Sequence, residues 1–76
     1  MAANLKAARE AAGYSQAQLA EKSGINKRTL QYYEQGYRNI DGASLETLVS
    51  LSLALNCKIT DILENEKLKS NLVNVI

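Results

Sequence analysis

The chain has 76 residues, a formal net charge of +1 and 46% hydrophobic residues. This length fits one domain, and a domain of this size buries only about 60% of its unfolded surface, so most apolar side chains must enter a single core. The apolar content excludes a disordered chain. No apolar stretch has the length of a membrane span or a signal peptide, so we expect a cytoplasmic protein.

The charged residues are unevenly distributed. Residues 1–38 carry six basic and three acidic side chains, a net charge of +3, whereas residues 39–76 carry three basic and five acidic ones, a net charge of −2. A basic half can face a polyanion, although a chance imbalance would look the same. Charge alone therefore does not decide the class of ligand.

Cys57 is the single cysteine, and histidine is absent. A disulfide within the chain and a metal site both need partners that the chain lacks. We therefore expect no metal, no cofactor and a core position for Cys57.

The helical period starts near the N-terminus. Leu5, Ala8 and Ala12 recur at spacings of three and four and predict a helix over about residues 2–12, which Gly13 ends. Ser15 then opens a second helix, because its hydroxyl and Gln18 three residues later make a capping box. Its apolar side is predicted at residues 17, 19 and 20.

A glycine separates this helix from the next. Gly24 stops the second helix, and Asn26 caps a third over residues 27–35, since asparagine is a favoured N-cap. Leu30 and Tyr33 are its apolar positions, and Gly36 closes it.

The remaining elements alternate between polar loops and apolar helices. Residues 37–43 are predicted as a loop, and Ser44 opens a fourth, leucine-rich helix through Leu55 that Asn56 caps. Thr60 is predicted to cap a short fifth helix carrying residues 62 and 63. The tail, residues 66–76, ends with four apolar residues, Leu72, Val73, Val75 and Ile76, which favour a dimerisation segment.

Two short helices joined by a tight turn at a glycine make a helix-turn-helix unit. The unit needs a small residue where the helices cross, a glycine in the turn and an apolar residue after it. Ala20, Gly24 and Ile25 meet these demands, with Leu19 and Leu30 as core positions.

With these residues in place, the chain resembles the phage repressor and Cro-type, or XRE-like, helix-turn-helix DNA-binding family. The likeness covers about residues 4–64 and rests on residues 5–9, 13–25, 30, 33–36, 44–48 and 59–63. The loop at 39–43 is a few residues longer than is usual in the family. The resemblance implies an all-α fold, a compact five-helix repressor-like bundle, with a domain over residues 1–65 and a tail over 66–76.

In this family the third helix enters the DNA major groove, where base edges differ in hydrogen-bonding pattern. The residues left to read bases, once the apolar ones point inward, are Lys27, Arg28, Gln31 and Tyr32. Arg28 suits guanine and Gln31 suits adenine. The alternative is a solvated polar face without a ligand.

The resemblance also implies contacts beside that helix. Gln16 is expected to contact a phosphate, as are Tyr37 and Arg38, while Lys6 and Lys22 fit solvated charges equally well. For Gln16, an ordinary first-turn residue is the competing interpretation. In related domains the positions of Arg9 and Glu34 form a structural ion pair, which we expect here as well.

These features predict a sequence-specific double-stranded DNA-binding regulator, a repressor that acts as a homodimer on a palindromic operator. No spacing of residues indicates a catalytic site, so we expect no enzyme. Two alternatives use the same fold: an antitoxin that also masks a toxin, and a module that contacts only proteins.

Overall fold

The computed structural model describes residues 3–75, with the side chains of residues 4–74. The described residues form six helices, α1 (Ala3–Ala11), α2 (Gln16–Ser23), α3 (Lys27–Gln35), α4 (Leu45–Leu55), α5 (Ile59–Ile62) and α6 (Glu66–Val75), with a 3₁₀ turn at Ile40–Gly42. The described residues contain no strand. The predicted all-α class is confirmed, and α6 follows the five predicted helices.

Local hydrogen bonds fix the start of α2 and α3 as the sequence predicts. The Ser15 hydroxyl accepts from the Gln18 backbone N–H at 3.1 Å, and the Gln18 side chain accepts from the Ser15 N–H at 2.8 Å. The Asn26 side chain accepts from the Arg28 N–H at 2.8 Å. Each bond satisfies a backbone donor that the helix leaves unpaired, so both caps are confirmed.

The core is a single apolar cluster that every helix from α1 to α5 enters. α2 packs on α3 and α4, and α1 packs on α3 and α5. The buried hydrophobic residues are Leu5, Leu19, Leu30, Tyr33, Ile40, Leu48, Leu51, Leu55, Ile62 and Leu63. This arrangement anchors the buried side of α3 and leaves its other side in solvent.

Three predicted apolar or capping positions differ in the structure. Ala12 and Ala17 are exposed, because the first lies beyond the end of α1 and the second faces solvent from α2. Thr60 lies inside α5 and does not cap it. The helix begins after Lys58, whose backbone N–H donates to the Asp61 carboxylate at 2.9 Å.

The leucine-rich α4 has one buried and one exposed apolar side. The core side carries three of the buried residues above, while Leu45 and Leu53 are 69% and 76% exposed and Val49 is 39% exposed. These three residues are spaced four apart and lie on one stripe of the helix. We call them the α4 stripe.

The tail is helical and packs partly against the core. Leu68 and Leu72 of α6 contact the core cluster, whereas Val73 is exposed. The side chain of Val75 and all of Ile76, which the sequence placed in an apolar segment, lie outside the described residues. No helix in the described part of the chain is long and apolar enough to cross a membrane.

Cys57 follows α4 and is half-buried beside the core cluster. Burial raises the pKa of its thiol, and the nearby Asp61 carboxylate adds to the rise. The thiol is therefore neutral at physiological pH, as suits a small packing residue.

Candidate nucleic-acid interface

The turn between α2 and α3 sets the angle at which α3 is presented. Gly24 has a φ of +74°, a left-handed conformation that a side chain would strain. Its N–H donates to the Ala20 carbonyl at 2.9 Å and ends α2. Ala20 and Ile25, on either side of the turn, pack against the core cluster and hold the two helices together.

α3 has two chemically different faces. Leu30 and Tyr33 are buried, as the sequence predicts. Lys27 and Arg28, in the first turn, and Tyr32, in the middle, are exposed. Two cations and one aromatic side chain with a hydroxyl therefore face solvent between the first turn and the middle of α3.

The segment directly after α3 adds two further exposed side chains. The backbone N–H groups of Tyr37 and Arg38 both donate to the Tyr32 carbonyl, at 2.9 and 3.1 Å, and so bend the chain back over the end of the helix. The rings of Tyr32 and Tyr37 meet edge to face with centroids 6.1 Å apart. Tyr37 is 77% exposed, and Arg38 is exposed as well.

A buried ion pair lies beneath this surface. Arg9 of α1 donates through Nε to Glu34 Oε2 at 2.7 Å and through Nη2 to Glu34 Oε1 at 3.0 Å, a bidentate contact. The third donor, Nη1, bonds to the Tyr14 carbonyl at 2.8 Å. The hydrogen bonds to Glu34 raise the pKa of the Arg9 guanidinium. Both side chains are thus committed to linking α1, α3 and the turn before α2.

Two glutamines extend this pair toward the surface. Gln16 Nε2 donates to Glu34 Oε1 at 3.1 Å, and Gln31 Nε2 donates to Gln16 Oε1 at 3.3 Å. Both glutamines are half-buried. We call this hydrogen-bonded set, Arg9, Glu34, Gln16 and Gln31, the α1–α2–α3 network. Within the described residues, no buried side-chain polar atom lacks a hydrogen-bond partner.

The contact between Gln16 and Gln31 was not predicted from the sequence. Gln16 was predicted to contact a phosphate and Gln31 a base, as independent side chains. The two residues are 15 apart in the chain, so no local spacing rule relates them. Only the folded structure shows that both glutamines are half-buried beside the charged pair of Arg9 and Glu34.

The loop before α4 combines local hydrogen bonds, such as the one from the Asp41 N–H to the Asn39 side chain at 3.0 Å, with long-range ones. Ile40 is fully buried, and the Asp41 carboxylate accepts from the backbone N–H groups of Glu64 and Asn65 at 2.8 and 3.2 Å. Asn4 of α1 donates to the Leu63 carbonyl at 2.7 Å. The loop is therefore tied to the junction of α5 and α6.

Comparison with known families places this geometry in a class. A model of the helix-turn-helix family matches residues 5–62, which include α1 to α5 apart from the first two residues of α1. The chain belongs to this helix-turn-helix family, of the XRE-like type. The family is one of DNA-binding regulatory domains, so the match supports a DNA-binding regulator in general. Neither curated proteins nor solved structures gave a match.

Proposed function

We propose that this protein is a sequence-specific regulator of transcription, a repressor, that places α3 in the major groove of double-stranded DNA. The observation that carries this is the division of α3 into a buried apolar face and an exposed face with Lys27, Arg28 and Tyr32. A major groove admits a helix, and its base edges distinguish all four base pairs. Arginine is well suited to guanine because its two N–H groups match the two acceptors there.

Phosphate contacts would flank the groove-facing helix. Gln16 begins α2, before the turn in the chain, and Tyr37 and Arg38 come after α3 and its Gly36 cap. Phosphate contacts of this kind position a protein on the duplex without carrying sequence information. In this proposal they fix the register in which Arg28 meets a base.

One domain of this size spans few base pairs, so the proposal includes a homodimer on a palindromic operator. Two apolar surfaces support a second copy as the partner. One is the α4 stripe, and the other is a groove lined by apolar side chains of α5 and α6, Ile59, Leu72 and Val73, beside Cys57. We propose that the dimer uses α4, α5 and the tail.

The salt dependence of binding tests whether DNA is the ligand. Arg38 is the cation among the proposed phosphate contacts, so a dimer would release about two counterions through it, and raising salt from 50 to 200 mM should lower affinity about tenfold or more. Fluorescence anisotropy with duplex DNA measures this. Arg38→Gln should reduce the slope, whereas Lys67→Gln, an exposed lysine on α6, should leave it unchanged. Affinity that ignores salt would contradict the proposal and favour a protein-binding role.

A further inference from the structure

The chemistry of Glu34 fixes the orientation of the Gln16 amide. Glu34 is a carboxylate paired with Arg9, and an ionised carboxylate can only accept hydrogen bonds. The group that Gln16 turns toward it, at 3.1 Å, must therefore be the NH₂. The amide oxygen then faces the other way, where Gln31 Nε2 donates to it at 3.3 Å.

These two bonds hold the planar Gln16 amide at both ends. An amide NH₂ carries two hydrogens, and one of them is used on Glu34. The direction of the second N–H is then fixed by the plane of the amide. Gln16 is only half-buried, so this remaining donor can meet a group outside the protein.

We propose that Gln31 is a positioning residue that orients Gln16 toward a DNA phosphate, and that it does not read a base. The inference rests on the proposed function and refines it. Gln31 differs from Lys27 and Arg28 in its burial. Its side-chain amide is half-buried and hydrogen-bonded to Gln16, whereas the side chains of Lys27 and Arg28 are exposed. A side chain fixed in its bound geometry loses less entropy when the ligand arrives.

A double-mutant cycle on the two glutamines tests this. Methionine has nearly the same length as glutamine and makes no strong hydrogen bond, so the variants are Gln31→Met, Gln16→Met and the combination of both. Gln35→Met is the matched control, since Gln35 is an exposed glutamine on the same helix. The measurements are affinity for a duplex that the wild type selects from random DNA, base preference at each position of that duplex, and melting temperature.

Gln16→Met should lower affinity about tenfold, as expected for one hydrogen bond to a charged oxygen. Gln31→Met should lower it about three- to tenfold, and should have no effect once Gln16 is already replaced. Base preference should stay that of the wild type in every variant. Melting temperature should stay that of the wild type in Gln31→Met and should fall wherever Gln16 is replaced, because the buried Glu34 carboxylate then loses a hydrogen bond. The control should match the wild type in all three measurements.

Two results would overturn the inference while leaving the proposed function intact. One is a loss of preference at a particular base pair in Gln31→Met, which would make Gln31 a base reader. The other is a full, additive loss of affinity when both residues are replaced, which would make the two residues independent. A wild type that shows no sequence preference would instead contradict the proposed function, and the inference with it.

Discussion

At the scale of single residues, the buried pair formed by Arg9 and Glu34 holds together the helices that carry the candidate interface. Taking two charges out of water costs several kcal/mol per ion, so a buried pair needs near-ideal geometry and further hydrogen bonds. Here the pair is bidentate, and the Tyr14 carbonyl and the Gln16 amide supply further bonds. Removing either partner would leave the other charge buried without compensation.

Glu34→Ala should therefore destabilise the fold by about 3–5 kcal/mol. A 76-residue protein has a total stability of about 4–11 kcal/mol, so this loss is a large fraction of it. Thermal or urea unfolding measures the effect, and Glu10→Ala, an exposed glutamate on α1, is the control. Equal melting temperatures for wild type and Glu34→Ala would rule out the pair as a stabiliser.

Residue roles could be predicted from the sequence where geometry is local or where the family pattern supplies it. The buried positions Leu30 and Tyr33 followed from the helical period. The half-burial of Gln31 could not be predicted this way, because it depends on Gln16 lying on a different helix. The helical period predicts which face of a helix a residue lies on. The residue that it contacts depends on how two helices cross.

At the scale of elements, helix ends were predictable where the residue next to the helix is itself a favoured capping residue. The Ser15 and Asn26 caps and the left-handed Asn56 after α4 are of this kind. The start of α5 was not, because Lys58 has no capping side chain and the Asp61 carboxylate supplies the bond instead. The predicted cap, Thr60, carries a suitable hydroxyl but lies two residues after the actual N-cap position.

The junction of α5 and α6 depends on a residue far away in the sequence. Asp41, in the loop before α4, accepts from two backbone N–H groups just before α6. Unpaired N–H groups at the start of a helix favour a negative charge. One side chain thus connects the loop that follows α3 to the tail.

Asp41→Ala should loosen α6 without unfolding the domain. Losing these bonds costs about 1 kcal/mol, which raises the locally open population, and with it the rate of trypsin cleavage at Lys67, about fivefold. Limited proteolysis followed by mass spectrometry measures this rate. Glu46→Ala, which removes an exposed carboxylate from the first turn of α4, should cleave like the wild type. Equal rates for Asp41→Ala and wild type would show that the junction does not depend on this carboxylate.

At the scale of the whole molecule, the net charge of +1 conceals a distribution that matters for binding. The candidate base readers and phosphate contacts all lie within residues 16–38, in the half of the chain with a charge of +3. The α4 stripe and α6 lie in the half with a charge of −2, where a second copy meets less repulsion from DNA-binding cations. In the proposed function, residues of the first half would bind DNA, and the α4 stripe and α6 would bind a second copy.

The sequence predicted the class of fold and the helix-turn-helix because both depend on apolar spacing, caps and one turn glycine. It did not predict that α6 would be a helix packed through Leu68 and Leu72, although Asn65 caps this helix by accepting from the Leu68 backbone N–H at 3.0 Å. It also assigned the leucines of α4 to one broad surface. Only the packing of α2 against α4 decides which of them, such as Leu51, are buried and which, such as Leu53, are exposed.

Selection of binding sites from random DNA tests most directly whether α3 reads base sequence. The wild type should enrich two inverted half-sites with centres about 10 base pairs apart. Replacing Lys27 and Arg28 together by alanine should abolish preference at one or two positions of each half-site, a loss of about 1–3 kcal/mol per position.

The control removes the same charge elsewhere. Lys6 and Lys22 are exposed on α1 and α2, and replacing both by alanine should weaken binding at most uniformly, with the enriched sequence unchanged. We expect the enriched DNA sequence to change for the α3 variant alone. An identical enriched sequence for wild type and the α3 variant, or no enrichment by the wild type, would contradict it.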